Sequence, residues 1–297
     1  MKCSNCKEKA VFINPTLCKK HFIDYFEKKV EKTIKDFSLL KKDYSVCVAT
    51  SGGKDSLTIL HILNKFGYRV TALLIDEGIH GYREHTKKDL ENFCREKNID
   101  LKIASFKELT GRTLDEMLKF KEIHSCTLCG VFRRFLLNKH SKGFDVIATG
   151  HNADDEAQTI LMNLTRANTD LFLRGGPKTM GKGDFTQRIK PLYFCTEKEI
   201  MTYSLINNIT TNFTECPYAE GAYRDTIRTA LNDYELNNPG TRFNILNHYV
   251  ELQKKLLKKI SSKKVKTAKT CSICGEPSNE VVCKACRLLE VYKKTLS

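Results

Sequence analysis

Hydrophobic positions along the middle of this chain follow two alternating patterns. Short apolar runs rich in β-branched residues occupy 44–50, 69–75, 101–105 and 144–150, with the length and composition of buried strands. Residues 56–66, 83–97, 130–140 and 154–165 instead repeat their apolar side chains at helical spacing. Strand and helix in alternation predict an α/β fold over residues 43–230, a parallel sheet with helices on both faces. Ligands of such sheets bind beyond the carboxyl ends of the strands. The flanks read differently. Residues 25–42 form a charged connecting helix. Residues 231–268 are mostly helix, ending in the basic run Lys254-Lys255-Leu256-Leu257-Lys258-Lys259 and a lysine-rich linker at 263–269. Residues 1–24 and 269–297 are short segments that carry cysteine pairs.

The first strand stops abruptly in Ser51-Gly52-Gly53-Lys54-Asp55-Ser56, and a helix pattern follows. Such a turn aims backbone N–H groups and a helix N-terminus at one point, where an anion is stabilised. Gly52 and Gly53 remove the Cβ atoms that would keep a phosphate away. Lys54 adds a charge, and Ser51 and Ser56 add hydroxyl donors. The common ATPase loop is excluded, because it needs four residues between its glycines and a Gly-Lys-Ser/Thr ending. S-G-G-x-D-S resembles the loop of the ATP pyrophosphatase superfamily, whose members cut ATP between the α and β phosphates and adenylate a substrate.

A second strand end opens into Gly150-His151-Asn152-Ala153-Asp154-Asp155-Glu156. Gly150 permits a close backbone approach, and Asp154 and Asp155 suit Mg²⁺ on a triphosphate. The same residues also suit a helix cap with acidic first-turn side chains. Asp76, at a third strand end, fits the ribose or adenine side of ATP or a simple capping role.

Thirteen cysteines dominate the remaining chemistry. Cys271-x2-Cys274-x8-Cys283-x2-Cys286 offers two chelating pairs of thiolates, the donor set of tetrahedral zinc. Cys3, Cys6, Cys18 and His21 offer a Cys₃His set. Segments this short bury little core, so metal would supply their folding energy. Cys126-x-x-Cys129 and the distant Cys216 form a third set. Spacing leaves it open as a three-point cluster site, as a zinc site completed by His124, as a redox pair, or as a persulfide carrier. Cys47, Cys94 and Cys195 remain outside these sets, and Cys47 reads as an inert core residue.

The chain has 297 residues and a net charge of +15, from 50 Lys and Arg against 35 Asp and Glu. So basic a balance points to a polyanion, nucleic acid first. Helix 242–259 and linker 263–269 could face it or could be solvated surface. No run has the length of a membrane span and no signal-peptide core opens the chain, so a cytoplasmic location without a membrane is expected. Thiols paired as CxxC then mean metal or redox chemistry rather than disulfides.

Together the terminal knuckles, S-G-G-K-D-S, C-x-x-C-G-x-x-R-R, G-H-N-x-D-D-E and the later C-P resemble the tRNA 2-thiouridine synthetases of the TtuA/NcsA/cytosolic thiouridylase group, over essentially the whole chain. The resemblance implies a HUP-like, Rossmann-type ATP pyrophosphatase domain flanked by two zinc knuckles. It implies that Ser51, Gly52, Gly53, Lys54, Asp55 and Ser56 hold the ATP phosphates. Asp154 and Asp155 match an acidic pair near ATP and Mg²⁺, and Arg133 a basic residue near ATP. Cys126, Cys129 and Cys216 match the ligands of a 4Fe-4S cluster. The implied partners are tRNA, a sulfide or ubiquitin-like sulfur carrier, and a second copy in a homodimer. The implied reaction adenylates the uracil C2 oxygen and replaces it with sulfur, at wobble uridine 34 or T-loop uridine 54. Two other classes also fit parts of the chain: another RNA-adenylating enzyme, which leaves the three cysteines idle, and a zinc-dependent RNA-binding protein, which leaves the loop idle.

Overall fold

The computed structural model describes residues 1–119, 123–179, 185–209, 216–218, 223–260, 269–278 and 280–293. Most of linker 263–269 lies outside the described residues.

Five strands build the central sheet: β1 (Ser45–Thr50), β2 (Arg69–Asp76), β3 (Asp100–Ser105), β4 (Val146–Thr149) and β5 (Gln187–Ile189). Their order is β3-β2-β1-β4-β5 and every neighbouring pair is parallel, as the alternating pattern predicts. Only β5 escapes that pattern, because it is three residues long and carries Arg188. Side chains alternate between two buried layers. Val46, Val48, Ala72, Leu74, Val146 and Ala148 enter one core, while Cys47, Leu73, Ile75 and Ile147 enter the other. Burial pushes the Cys47 thiol up to about 12, so this cysteine is inert core, as expected.

On the first face lie α1 (Lys19–Asp36), α2 (Lys54–Lys65) and α3 (Arg83–Glu96); on the second lie α4 (Phe106–Thr110), α5 (Leu114–Leu118) and α6 (Ser125–His140). The buried faces are helical stripes: Phe22, Phe26 and Val30 in α1, and Leu128, Phe132 and Leu136 in α6. The stripe of α6 starts before Gly130, so Cys126 and Cys129 sit one turn apart on a helix. Helix α1 starts inside the first knuckle and runs through residue 25 without a break.

After β4 come α7 (Ala153–Thr165), α8 (Thr169–Leu173), α9 (Glu197–Ile206), α10 (Tyr223–Asn237) and α11 (Thr241–Ile260). Helices α7, α10 and α11 share a third core built on Ala157, Ile160, Leu231, Leu246 and Tyr249. Asn238-Pro239-Gly240 breaks the segment expected as one helix, with Gly240 at φ +93°. A two-stranded ribbon, β6 (Lys269–Thr270) and β7 (Pro277–Ser278), and α12 (Lys284–Lys293) form the C-terminal knuckle. Ala285 and Tyr292 of α12 bury into the same core as Leu128 and Phe132 of α6. Strand order reverses at β1, so the crevice between the carboxyl ends of β1 and β4 is where a ligand is expected.

Candidate active site

Two loops meet at that crevice. Gly52 holds φ +81°, and a Cβ there would lie 2.2 Å from the Thr86 carbonyl oxygen, so no other residue fits without moving α3. Gly53 caps α2, and the Ser56 hydroxyl donates to its carbonyl at 2.9 Å while accepting from Ser51 N–H at 3.2 Å. The phosphate loop is thereby folded before any ligand arrives. From the other side, a Cβ on Gly150 would come within 2.9 Å of the Asp55 carbonyl carbon and the Ser56 nitrogen. The close approach expected at Gly150 is therefore to the first turn of α2. Ser51, Asp55, Ser56, Gly150, His151 and Asp155 line a cleft of about 240 Å³, which also reaches Glu77, Arg83 and Arg133.

Charge in this cleft is crowded. Asp55 has one buried carboxylate oxygen, Oδ1, with no hydrogen-bond partner. Burial pushes its carboxyl up to about 6; Lys54 opposes that shift, and the nearby Asp155 and Glu197 add to it. Lys54 reaches Asp55 at 3.4 Å and Glu197 at 2.7 Å. Burial works against its charge, but those carboxylates outweigh it and raise the ammonium pKa. Asp155 is raised as well, by burial first, against the opposing Arg224 guanidinium at 3.2 Å. Its other oxygen accepts from Asn152 N–H and closes a capping box on α7. An unpartnered carboxylate oxygen beside a second carboxylate fits a divalent cation.

The two adjacent aspartates do not share a role. Asp155 lines the cleft. Asp154 accepts from Glu197 N–H at 2.8 Å and pairs with Arg242 at 2.8 Å, which ties α9 and α11 to α7. Asp76 turns into its own loop, where it accepts from Gly78 N–H at 2.9 Å and faces Lys87 at 3.8 Å. The cleft wall at that strand end is Glu77 instead.

Glu77 joins the phosphate loop to the cysteines. It is 1% exposed and carries two guanidinium partners. Arg83 donates to it through Nε at 2.8 Å and through Nη2, and donates through Nη1 to the Ser51 carbonyl at 2.7 Å. Arg133 pairs with its other oxygen at 2.6 Å and donates to Cys129 Sγ at 3.3 Å. Burial opposes the charge on Arg133, yet Glu77 outweighs it and holds the guanidinium charged. The Cys126 thiol faces the Tyr218 carbonyl at 3.6 Å, which brings Cys216-Pro217-Tyr218 against the start of α6. Cys126 is exposed, and Cys129 and Cys216 are half-buried. Cys129 thus lies against Arg133 at the edge of the cleft, with Cys126 one turn away and the Cys216 segment packed beside it; unlike the terminal sets, the three do not bring their sulfurs within 4.8 Å of one another. His124 is the residue that caps α6.

At the termini, Cys3, Cys6, Cys18 and His21 bring their ligand atoms within 4.8 Å of one another, and so do Cys271, Cys274, Cys283 and Cys286. Thiol pairs lie at 3.7 Å for Cys6 and Cys18, 3.8 Å for Cys274 and Cys283, and 3.9 Å for Cys271 and Cys286. Ligand bonds of about 2.3 Å arranged tetrahedrally have edges of about 3.8 Å, so both sets match the footprint of zinc.

Of the residues named from sequence, the structure brings Ser51, Asp55, Ser56, Gly150 and Asp155 to one cleft and gathers each terminal cysteine set, while Asp154 turns to α9 and α11. Sequence reasoning missed Glu77, Arg83, Glu197, Arg224 and Arg242, which hold the site together. Glu77 is written beside Asp76, but which of the two faces the cleft depends on the end of β2. The arginine partners arrive from α3, α10 and α11, elements that carry no recognisable motif.

A parallel sheet that reverses at β1, with a glycine-rich phosphate loop at the reversal, defines a PP-loop ATP pyrophosphatase. The PP-loop domain model matches residues 24–235. The chain is 37% identical over 300 residues to the tRNA-5-methyluridine(54) 2-sulfurtransferase of Pyrococcus horikoshii, with 99% of this chain and 95% of that protein covered. It is 37% identical to the cytoplasmic tRNA 2-thiolation protein 1 of Drosophila melanogaster, covering 99% of this chain and 88% of that protein. The U34-tRNA thiolase NcsA of Methanococcus maripaludis, solved with its [4Fe-4S] cluster, superposes with a TM-score of 0.82 at 31% identity, covering 100% of this chain and 97% of that one. The chain belongs to the PP-loop family, within its tRNA 2-thiolation sulfurtransferase branch. Among the described residues no helix is long and apolar enough to cross a membrane.

Proposed function

We propose that this enzyme uses ATP to adenylate the C2 oxygen of a tRNA uridine, and that a sulfur nucleophile then displaces AMP. The observation that carries the reading is the hydrogen-bonded chain Ser51–Arg83–Glu77–Arg133–Cys129, which links the phosphate loop to a cysteine of the CxxC pair. The C2 oxygen is a poor leaving group until it carries AMP. Lys54, the α2 N-terminus and Arg133 stabilise charge as it builds on phosphate. Asp55 and Asp155 would hold Mg²⁺, which would supply positive charge for departing pyrophosphate, while Asp154 positions α9 and α11. Sulfur then bonds to C2, the C2–O bond breaks, and AMP leaves with the oxygen. A 4Fe-4S cluster held by Cys126, Cys129 and Cys216 would supply an iron open to hydrosulfide. The two terminal sets hold zinc. The uridine leaves its stack to reach the cleft.

The favoured target is wobble uridine 34, supported by the end-to-end likeness to the U34 thiolase. The name of the Pyrococcus relative supports uridine 54 as the second reading. Anaerobic reconstitution with ATP, sulfide and tRNA, followed by nucleoside mapping, decides between them. Serine at Cys126, Cys129 or Cys216 is expected to abolish thiouridine and leave pyrophosphate release within about threefold. Thiouridine formation by all three serine variants would sink the reading. Iron, sulfide and zinc analysis is expected to give four iron and two zinc per chain.

A further inference from the structure

A second cavity lies outside the ATP cleft. It is a groove of about 620 Å³ between α1 and α11, floored by Phe37, Phe194 and Phe243. That volume is typical of a site for an organic ligand. Its wall is mostly apolar, and its mouth is basic. Lys29 is neutralised by Glu199 at 2.8 Å, and Lys32 by Asp36 at 2.6 Å. Lys28 at the mouth and Lys254, whose ammonium lies 5.6 Å from the Phe37 ring centroid, leave an excess of positive charge.

The groove is also continuous with the catalytic rim. Phe243 follows Arg242, the partner of Asp154, and Phe194 lies three residues before Glu197, the partner of Lys54. The groove and the ATP cleft thus share α11 and the segment leading into α9 without sharing lining residues.

We propose that this groove binds an unpaired nucleotide of the RNA substrate, its base against the phenylalanine floor and its phosphates at Lys28 and Lys254. Three observations select RNA over an apolar peptide. The lining contains three phenylalanine rings, a residue type that accepts any base by stacking. The mouth is cationic, as a phosphate backbone requires. The whole chain carries +15. The proposal rests on the assignment of tRNA as substrate and names where a second part of that tRNA is held, away from the reacting uridine.

The experiment measures binding of tRNA, and of a short single-stranded RNA against a duplex of equal charge, by fluorescence anisotropy at several salt concentrations. Two variants separate charge from stacking. Lys28→Glu with Lys254→Glu is expected to weaken tRNA binding at least tenfold and to flatten the slope of log K against log salt by about two. Asn247→Trp, an exposed lining position on α11, fills the groove. It is expected to lose the preference for single-stranded RNA, with the salt slope unchanged. Pyrophosphate release from ATP with saturating tRNA serves as the control and stays within about twofold. Wild-type affinity and preference in Asn247→Trp would overturn the proposal. So would a change in sedimentation coefficient on filling the groove, because a second copy of the chain would then be its occupant. If wild-type protein binds no tRNA at all, the functional assignment fails with it; if wild type binds and thiolates while both variants match it, only the groove assignment fails.

Discussion

At the scale of single residues, a few buried charges decide the site. Glu77 neutralises two guanidiniums from opposite sides, and its removal leaves both without their carboxylate. Glu77→Gln is expected to lose about 3 kcal/mol in urea unfolding, the usual consequence of breaking one arm of a buried ion pair. The same change frees Arg133 from its anchor, so adenylation is expected to fall more than tenfold at saturating ATP, measured as pyrophosphate release. His151 gives a pH signature. It lines the cleft, bonds Thr149 at 2.9 Å, and is pushed down to about 4 by burial first and by Lys190 next. A histidine with a depressed folded pKa stays neutral in the fold and takes a proton in the unfolded chain. Stability is therefore lost as pH falls below the unfolded value of about 6.5, by an amount that solvent screening at this exposed residue keeps small. His151→Gln is expected to remove that part of the acid slope in urea titrations at the two pH values; an unchanged slope would refute the assignment. Neither Glu77 nor His151 shows its role in sequence. Both read as polar residues near strand ends; burial gives Glu77 its consequence, and a position in the wall of the cleft gives His151 its own. Ser51 to Ser56 was legible because a phosphate loop requires particular residue types at consecutive positions. Glu77 was not, because its partners come from α3 and α6.

At the scale of elements, α6 is the piece that, under the proposed function, adds sulfur chemistry to a nucleotide-binding sheet. Its first turn carries Cys126 and Cys129, and its buried stripe packs against β2 on one side and α12 on the other. The C-terminal knuckle therefore acts as a buttress for the cysteine triad, through Ala285 and Tyr292. Cys283→Ser removes one ligand of the knuckle and is expected to lower the melting temperature and to loosen α6. In cluster-free protein, alkylation of Cys129, half-buried and pushed up to about 11 by burial first, should then accelerate about tenfold, a local opening cheaper by about 1.4 kcal/mol. An alkylation rate equal to wild type would show that the knuckle does not support the helix. The sequence pattern placed the start of α6 too late because Gly130 and two cysteines interrupt the apolar count. The split between α10 and α11 was written in Asn238-Pro239-Gly240, yet the apolar spacing on either side masks it.

At the scale of the whole molecule, charge and topology were legible together and for separate reasons. The alternation of strand and helix permits only a right-handed parallel arrangement, and the crevice beyond β1 follows from it. The excess of basic residues says nothing about the fold but constrains the partner. The cations around the cleft are already paired: Lys54, Arg83, Arg133, Arg224 and Arg242 all meet carboxylates there. RNA binding must therefore draw on cations away from the ATP site, such as Lys28 and the lysines of α11. A surface of that kind releases counterions as it closes on RNA. If six or more phosphates are contacted, affinity for tRNA is expected to fall by about a thousandfold between 50 and 200 mM salt. ATP binding in the cleft, where the partners are buried and poorly screened, is expected to change less than about threefold over the same range. Equilibrium binding of labelled tRNA and of a fluorescent ATP analogue across that salt series measures both. A tRNA affinity that falls less than tenfold would mean that few of the excess cations contact phosphate, and that RNA is recognised by shape and base contacts instead.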